Sequence, residues 1–115
     1  RVTIIEGTLG KAFGVMGGHM QPQGHMQTAI RLIDFDENPQ AALDGPRFRA
    51  EQALEVDLEP WTPTAVRESL AARGHKLKQN ADSYMDFGSG QIIWKTPDGY
   101  ITGSDCRRDG GAVGF

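Results

Sequence analysis

The sequence lacks most of the devices by which a small domain is stapled together. A single cysteine, Cys106, excludes an internal disulfide and any zinc site built on several cysteines. Basic residues are not in excess: 12 Lys and Arg stand against 15 Asp and Glu, a net charge of −3. That disfavours a dedicated nucleic-acid binder, which concentrates positive charge on one face. No apolar run approaches the roughly 18 residues that suggest a membrane span. The opening Arg1-Val2-Thr3-Ile4-Ile5-Glu6 is not a signal peptide, because its apolar run is short and ends at Glu6. Since the chain begins with Arg1 rather than Met, it is expected to be either a processed product or a separately expressed piece, and its compartment is not legible from that end.

What is present in excess is glycine. Fifteen of 115 residues are Gly, about 13% against a usual 7% or so. With 38% hydrophobic residues, the chain can still fold, and at this length roughly 65% of its unfolded surface can be buried. The glycines therefore point to turns that need positive φ or close backbone approach inside a folded domain. Composition favours an α/β or α+β domain, and the chain reads as one domain, residues 1–115.

Along the chain, Val2–Glu6 and Lys11–Met16 read as two strands of a hairpin around Gly7–Gly10. Gly17-Gly18 breaks the second. From Gly24 to Phe35, Met26, Ala29, Ile30, Ile33 and more loosely Leu32 recur at helical spacing, with Gln27, Thr28, Arg31 and Asp34 opposite. Pro22 is expected just before this helix. Asn38-Pro39 predicts a capped helix start, with Gly45 and Pro46 ending the helix. Arg47–Ala50 and Ala53–Leu58 predict strands, the latter with Leu54, Val56 and Leu58 on one face. Thr62-Pro63 repeats the cap-plus-proline device before a helix that carries Val66 and Leu70 and ends at Gly74. His75–Lys78 predicts a short edge strand. Gln91–Lys95 and Tyr100–Thr102 predict a hairpin around Pro97-Asp98-Gly99. The echo of Gly18-His19-Met20-Gln21 in Gly24-His25-Met26-Gln27 is too short and close to be a structural repeat.

The most distinctive stretch runs from Phe13 to Gln27. A strand that meets two glycines and then a helix leaves successive backbone N–H groups able to face an anion near the helix start. On local pattern alone a plain strand-to-helix turn without ligand is the favoured reading, since Gly-Gly turns are common. His19 and His25 match no common zinc spacing, and His25 is expected to cap the helix or face solvent. No metal or cofactor is called for. Cys106 has cationic neighbours in Arg107 and Arg108 but no local histidine, so an inert role is expected. Ser83, Ser89 and Ser104 lack a G-x-S-x-G elbow. Asp105, Arg107, Arg108 and Asp109 are expected to form structural ion pairs that fix the tail. His75, after a helix-ending glycine, suits the helix dipole. A complete active site is not legible from these residues.

The order of the segments resembles the C-terminal part of the small subunit of γ-glutamyltranspeptidases and their relatives. The resemblance rests on Gly14-x-x-Gly17-Gly18, Gln21-Pro22-Gln23 with Gln27, and Asn38-Pro39-Gln40-Ala41-Ala42-Leu43-Asp44-Gly45-Pro46-Arg47-Phe48. It continues through Leu70 with Gly74-His75, Gly88-Ser89-Gly90-Gln91, Pro97-Asp98-Gly99 and Gly103-Ser104-Asp105-x-Arg107-Arg108-Asp109-Gly110. Val15-Met16 stand where the family's turn has Ser-Pro, and Cys106 stands where Pro is usual.

The resemblance implies an α+β chain, part of a four-layer αββα N-terminal-nucleophile hydrolase fold cut from a precursor into large and small subunits. A Thr at the new N-terminus, upstream of Arg1, would attack a γ-glutamyl amide and form an acyl-enzyme that water or an amine resolves. By the same resemblance Gly17 and Gly18 would form the oxyanion hole, and a Cβ at Gly18 is expected either to crowd the approach to the charge or to forbid the backbone angles the turn requires. The implied partners are the rest of the small subunit, the large subunit and an amide substrate, without nucleic acid or membrane span. The isolated segment is expected to be inactive and to self-associate. A cephalosporin- or glutaryl-type acylase of the same fold, or a non-catalytic folding or assembly module, are the alternatives.

Overall fold

The structure, a computed structural model, describes residues 13–79 and 86–114. The first predicted strand, Val2–Glu6, and its turn lie outside them, as does Ser83.

Among the described residues six strands form two sheets. The first contains β1 (Phe13–Met16), β5 (Ser89–Thr96) and β6 (Gly99–Ser104), in the order β1-β5-β6 and antiparallel throughout. The second contains β2 (Phe48–Ala50), β3 (Glu55–Leu58) and β4 (Lys76–Gln79) in that order. There β2 pairs antiparallel with β3, and β3 pairs parallel with β4. The parallel pair needs a crossover, and α3 (Thr64–Ala72) supplies it.

The other two helices are α1 (Gln21–Ile33) and α2 (Pro39–Asp44). Leu32 of α1 meets Ala42 and Leu43 of α2 and Ile92 of β5 in one apolar cluster, with Trp94 against it. Both helices therefore cover the first sheet.

Local signals explain several boundaries. The Asn38 side chain accepts a hydrogen bond from Ala41 N–H at 2.9 Å, the expected cap. At the end of α3, Gly74 N–H donates to Ala71 O and His75 N–H to Leu70 O, the paired bonds of a Schellman turn. Thr62 does not cap α3: the N-cap is Pro63, without a side-chain bond, and Thr62 is buried. Pro22 lies inside the first turn of α1 rather than before it, where its missing N–H costs no helical bond.

The faces of two elements differ from expectation. In α1 the buried residues are Gly24, Gln27, Thr28 and Leu32, whereas Met26, Ile30 and Ile33 are exposed. The apolar stripe of this helix points away from the first sheet. In β3 Val56, Asp57 and Leu58 are all buried and Leu54 is exposed. Alternation fails because Asp57 is held by the Arg49 guanidinium at 2.7 Å.

Candidate functional site

Gly17 and Gly18 lie where β1 ends and a 3₁₀ turn, Gly18–Met20, leads into α1. Their φ angles are +149° and +53°, a sequence of conformations that L side chains rarely adopt. Met20 N–H donates to Gly17 O at 2.9 Å and closes the turn. Gly17 is half-buried and Gly18 exposed, so the second glycine faces outward on the first.

The two glycines are required for different reasons. A Cβ on Gly17 would lie 2.8 Å from Gly88 Cα, whereas one on Gly18 would meet nothing within 4 Å. Of the two reasons expected at Gly18, the backbone restriction applies there, whereas crowding by neighbouring atoms applies at Gly17. Gly18 needs its glycine for the backbone angle alone. Gly88, itself at φ +69°, is equally constrained, since its own Cβ would collide with Met16 O. The turn is thus stacked directly on the backbone that opens β5.

That backbone is gripped from behind by charge. Arg47 donates to Phe87 O at 3.1 Å and to Gly88 O at 2.9 Å, and also to Asp105 at 2.6 Å. Asp105 accepts in addition from Gly90 N–H at 2.7 Å and from Arg107 N–H at 3.0 Å. Arg107 forms a two-point pair with Glu59, donates to Leu43 O and Gly45 O, and stacks over Trp61 at 5.2 Å. Glu59 in turn accepts from Arg47 N–H at 2.6 Å. Two cations and two anions, each at most 5% exposed, neutralise one another where the two sheets meet.

Burial opposes the charged form of Asp105, but Arg47 and Arg107 outweigh it and hold its carboxyl below the ordinary range. Burial likewise opposes the Arg107 cation, and Glu59 outweighs it and raises that pKa. For Arg47, burial and the neighbouring Arg107 prevail and lower it. Asp105 and Arg107 are thus structural ion partners, as expected. The quartet's other half, Arg47 and Glu59, carries no local sequence signal of burial. Arg47 is marked only by standing within Gly45-Pro46-Arg47-Phe48.

The remaining candidates are dispersed. Cys106 is exposed, and partial desolvation together with Asp44 pushes its thiol up, opposite to what an activated nucleophile needs. Ser89 is buried in the ladder opposite Met16, and Ser104 accepts from the Gln91 amide. His19 is exposed beside the glycine turn. His25 neither caps α1 nor simply faces solvent: it bonds Val15 N–H and Gln21 O. No group of three or more His, Cys, Asp or Glu among the described residues is arranged for a metal. No helix among them is long and apolar enough to cross a membrane.

The glutamines of the Gln21-Pro22-Gln23 and Gln27 motif have a structural task. Gln27 exchanges two hydrogen bonds with the backbone of Phe48, at 2.8 and 3.0 Å. Gln23 does the same with Ala50, at 3.1 and 2.7 Å. One helical turn of about 5.4 Å lies close to the rise of two strand residues, about 6.7 Å. The two amides therefore stand in for a neighbouring strand along the edge of β2 and bind α1 to the second sheet.

Comparison with known proteins agrees with this architecture. The sequence matches the family described as Gamma-glutamyltranspeptidase over residues 2–115. It is 34% identical over 113 residues to the acylase ACY 1 proenzyme of Pseudomonas sp. (strain SE83), covering 97% of this chain and 20% of that protein. Among solved structures, the cephalosporin acylase from Bacillus halodurans superposes with a TM-score of 0.81 at 48% identity, over 86% of this chain and 19% of that one. The γ-glutamyltranspeptidase from Pseudomonas nitroreducens complexed with L-DON superposes with a TM-score of 0.79 at 19% identity. That match covers 100% of this chain and 61% of the other. Sequence and backbone lead to one assignment: the chain belongs to the γ-glutamyltranspeptidase family and has part of its four-layer αββα N-terminal-nucleophile hydrolase fold.

Proposed function

We propose that this chain is the C-terminal part of the small subunit of a γ-glutamyltranspeptidase-like amidohydrolase or transferase, and that Gly17 and Gly18 serve its oxyanion hole. The supporting observation is the turn itself: two glycines at φ +149° and +53°, seated on Gly88 and leading into a 3₁₀ turn and a helix. The nucleophile, a Thr freed at the N-terminus of the small subunit, belongs to the portion of the protein before Arg1. Its hydroxyl attacks the amide carbonyl, its own α-amino group takes the proton, and the carbonyl oxygen gains negative charge. Backbone N–H groups held in place before the reaction stabilise that charge without reorganising. Collapse expels the amine, which leaves with a proton, and water or a second amine then takes the acyl group. The rest of the small subunit and the large subunit complete the enzyme, and the 115-residue chain alone is inactive.

A second reading keeps this chemistry and changes the acyl group. The 48% identity to a cephalosporin acylase and 34% identity to an acylase proenzyme support a glutaryl or cephalosporin side chain as the alternative to γ-glutamate. The deciding experiment compares hydrolysis of γ-glutamyl-p-nitroanilide, glutaryl-p-nitroanilide and a glutaryl cephalosporin by the full-length, processed protein. Higher kcat/KM for the first supports the transpeptidase reading, and higher values for the others support the acylase reading. No turnover of any of the three by a correctly processed protein overturns both and leaves a non-catalytic module.

A further inference from the structure

The glycine turn does not hold itself. Glycine has the widest backbone freedom of any residue, so Gly17 and Gly18 can keep their angles only if their surroundings impose them. Gly88 supports Gly17 from below, but Gly18 has open space where a side chain would be. Its position is set by where the chain enters and leaves the turn.

One side chain spans both ends. The chain enters the turn from Val15 and Met16, the last residues of β1, and leaves it at Gln21, the first residue of α1. The His25 ring lies between them: Val15 N–H donates to Nε2 at 3.1 Å, and Nδ1 lies 2.6 Å from Gln21 O. An imidazole nitrogen that accepts from an N–H carries no proton of its own. The tautomer that fits both bonds carries its hydrogen on Nδ1 and donates it to the Gln21 carbonyl. The two ends also approach closely without the ring. Gly24, on α1, sits so near β1 that a Cβ there would lie 2.7 Å from Val15 Cγ1.

Resting on the oxyanion reading above, we infer that His25 is a positioning residue for the Gly17-Gly18 turn. It acts as a strap across the turn's base and touches neither substrate nor the reacting atoms. Gln23 and Gln27, on either side of it along α1, bind the helix to β2, so α1 is a fixed anchor for the strap. Loss of the Val15 bond would let the end of β1 shift relative to α1. Displacements of about 1 Å in such a constellation can cost on the order of 100-fold in rate.

The test uses two polar variants of the full-length, processed protein. His25→Gln carries an amide oxygen to about the reach of Nε2 and can still accept from Val15 N–H. His25→Asn is shorter: its amide can replace the Nδ1 bond to Gln21 but not the Val15 bond. We expect His25→Asn to lower kcat by about 10- to 100-fold with KM changed less than about 3-fold, and His25→Gln to keep kcat within about 3-fold of wild type. Equal kcat in the two variants, whether high or low, overturns the strap, as does a loss that falls on KM alone. Gly18→Ala, measured alongside, separates the two claims. Near wild-type kcat there overturns the oxyanion reading itself, whereas a strong Gly18→Ala defect with equal His25 variants overturns only the strap.

Discussion

The place where the two sheets meet and the outer face of α1 are built the opposite way round from most proteins. At the junction Arg47, Glu59, Asp105 and Arg107 are buried at 3%, 0%, 1% and 5% exposure. On the outer face Met26, Ile30 and Ile33 stand 46%, 38% and 58% exposed, and Phe35, just past the helix end, 70%. Buried charge is normally costly, and here each ion meets an opposite partner and backbone groups, with Arg47 Nε alone of the quartet's polar side-chain atoms left without a bond. A contiguous apolar face is normally covered. Around Ile30 a shallow groove also includes Pro46 and Phe48, and a second groove beyond them reaches Val66 and Leu70. The chain spans only about a fifth of the length of the acylase proenzyme it resembles. The difference teaches that the buried ions find their partners within this segment, whereas the apolar face stands exposed on it.

The junction offers the largest expected effect. Arg107→Leu would leave Glu59 and Asp105 buried beside a single remaining cation. Removing one partner of a buried pair typically costs about 3–5 kcal/mol, so urea unfolding of the full-length protein should lose stability on that scale. A change below about 1 kcal/mol would mean that water reaches the cluster and that its burial has been overvalued.

Next in size is the glycine pair, which rests on the junction through Gly88. Gly18→Ala has room for its Cβ but must hold φ near +53°, a backbone cost of about 1–2 kcal/mol. Its expected signature is a kcat reduced about 100-fold or more with a smaller change in KM, the scale of one lost oxyanion donor. Gly17→Ala meets Gly88 Cα at 2.8 Å and should instead reduce the yield of folded, processed protein on a gel. Were Gly18→Ala to fail in folding while Gly17→Ala folded normally, the assignment of the two roles would be reversed.

Acid should weaken the junction before the apolar face. Asp105 has a folded-state pKa below its ordinary value, so the unfolded chain takes up the proton first as pH falls. Its contribution is fully present above the unfolded value of about 3.9 and declines below it, down to the folded pKa. Unfolding midpoints measured between about pH 5 and pH 2 should fall, and Asp105→Asn should flatten that dependence. An unchanged slope in the variant would assign the acid sensitivity to other carboxylates.

The smallest effect on stability belongs to the apolar face. Ile30→Glu and Phe35→Ser replace exposed side chains and should change folding free energy by no more than about 0.5 kcal/mol. They should nevertheless reduce self-association of the isolated 115-residue segment, followed by light scattering. If the wild-type segment is a monodisperse monomer, the face does not need a cover and the contrast with the junction disappears.

How much of this was legible depends on how far each interaction reaches along the chain. The Asn38 cap, the Gly74 turn and the β5–β6 hairpin rest on contacts within a few residues, and local residue preferences are enough to find them. The periodicity of α1 was also visible, but not the direction of its stripe. A hydrophobic pattern tells which residues share a face and leaves open what that face meets. Gln27 and Thr28 looked like surface positions and are buried, because Gln27 binds the backbone of Phe48 and Thr28 donates to Gly24 O. His25 gave no sign of its bridge, since a lone histidine in a helix has many uses.

By itself, then, the sequence determined the local elements, the two glycines that no other residue could replace without strain, and the ordered motifs that mark the family. Only the tertiary structure decided that Gly17 is held by Gly88, that Arg47 meets Asp105 across 58 residues, and that α1 turns its apolar side outward. The physical reason is that caps and turns are settled by backbone geometry within one or two turns of chain. Burial of a charge or exposure of an apolar face is settled by partners that folding brings from elsewhere.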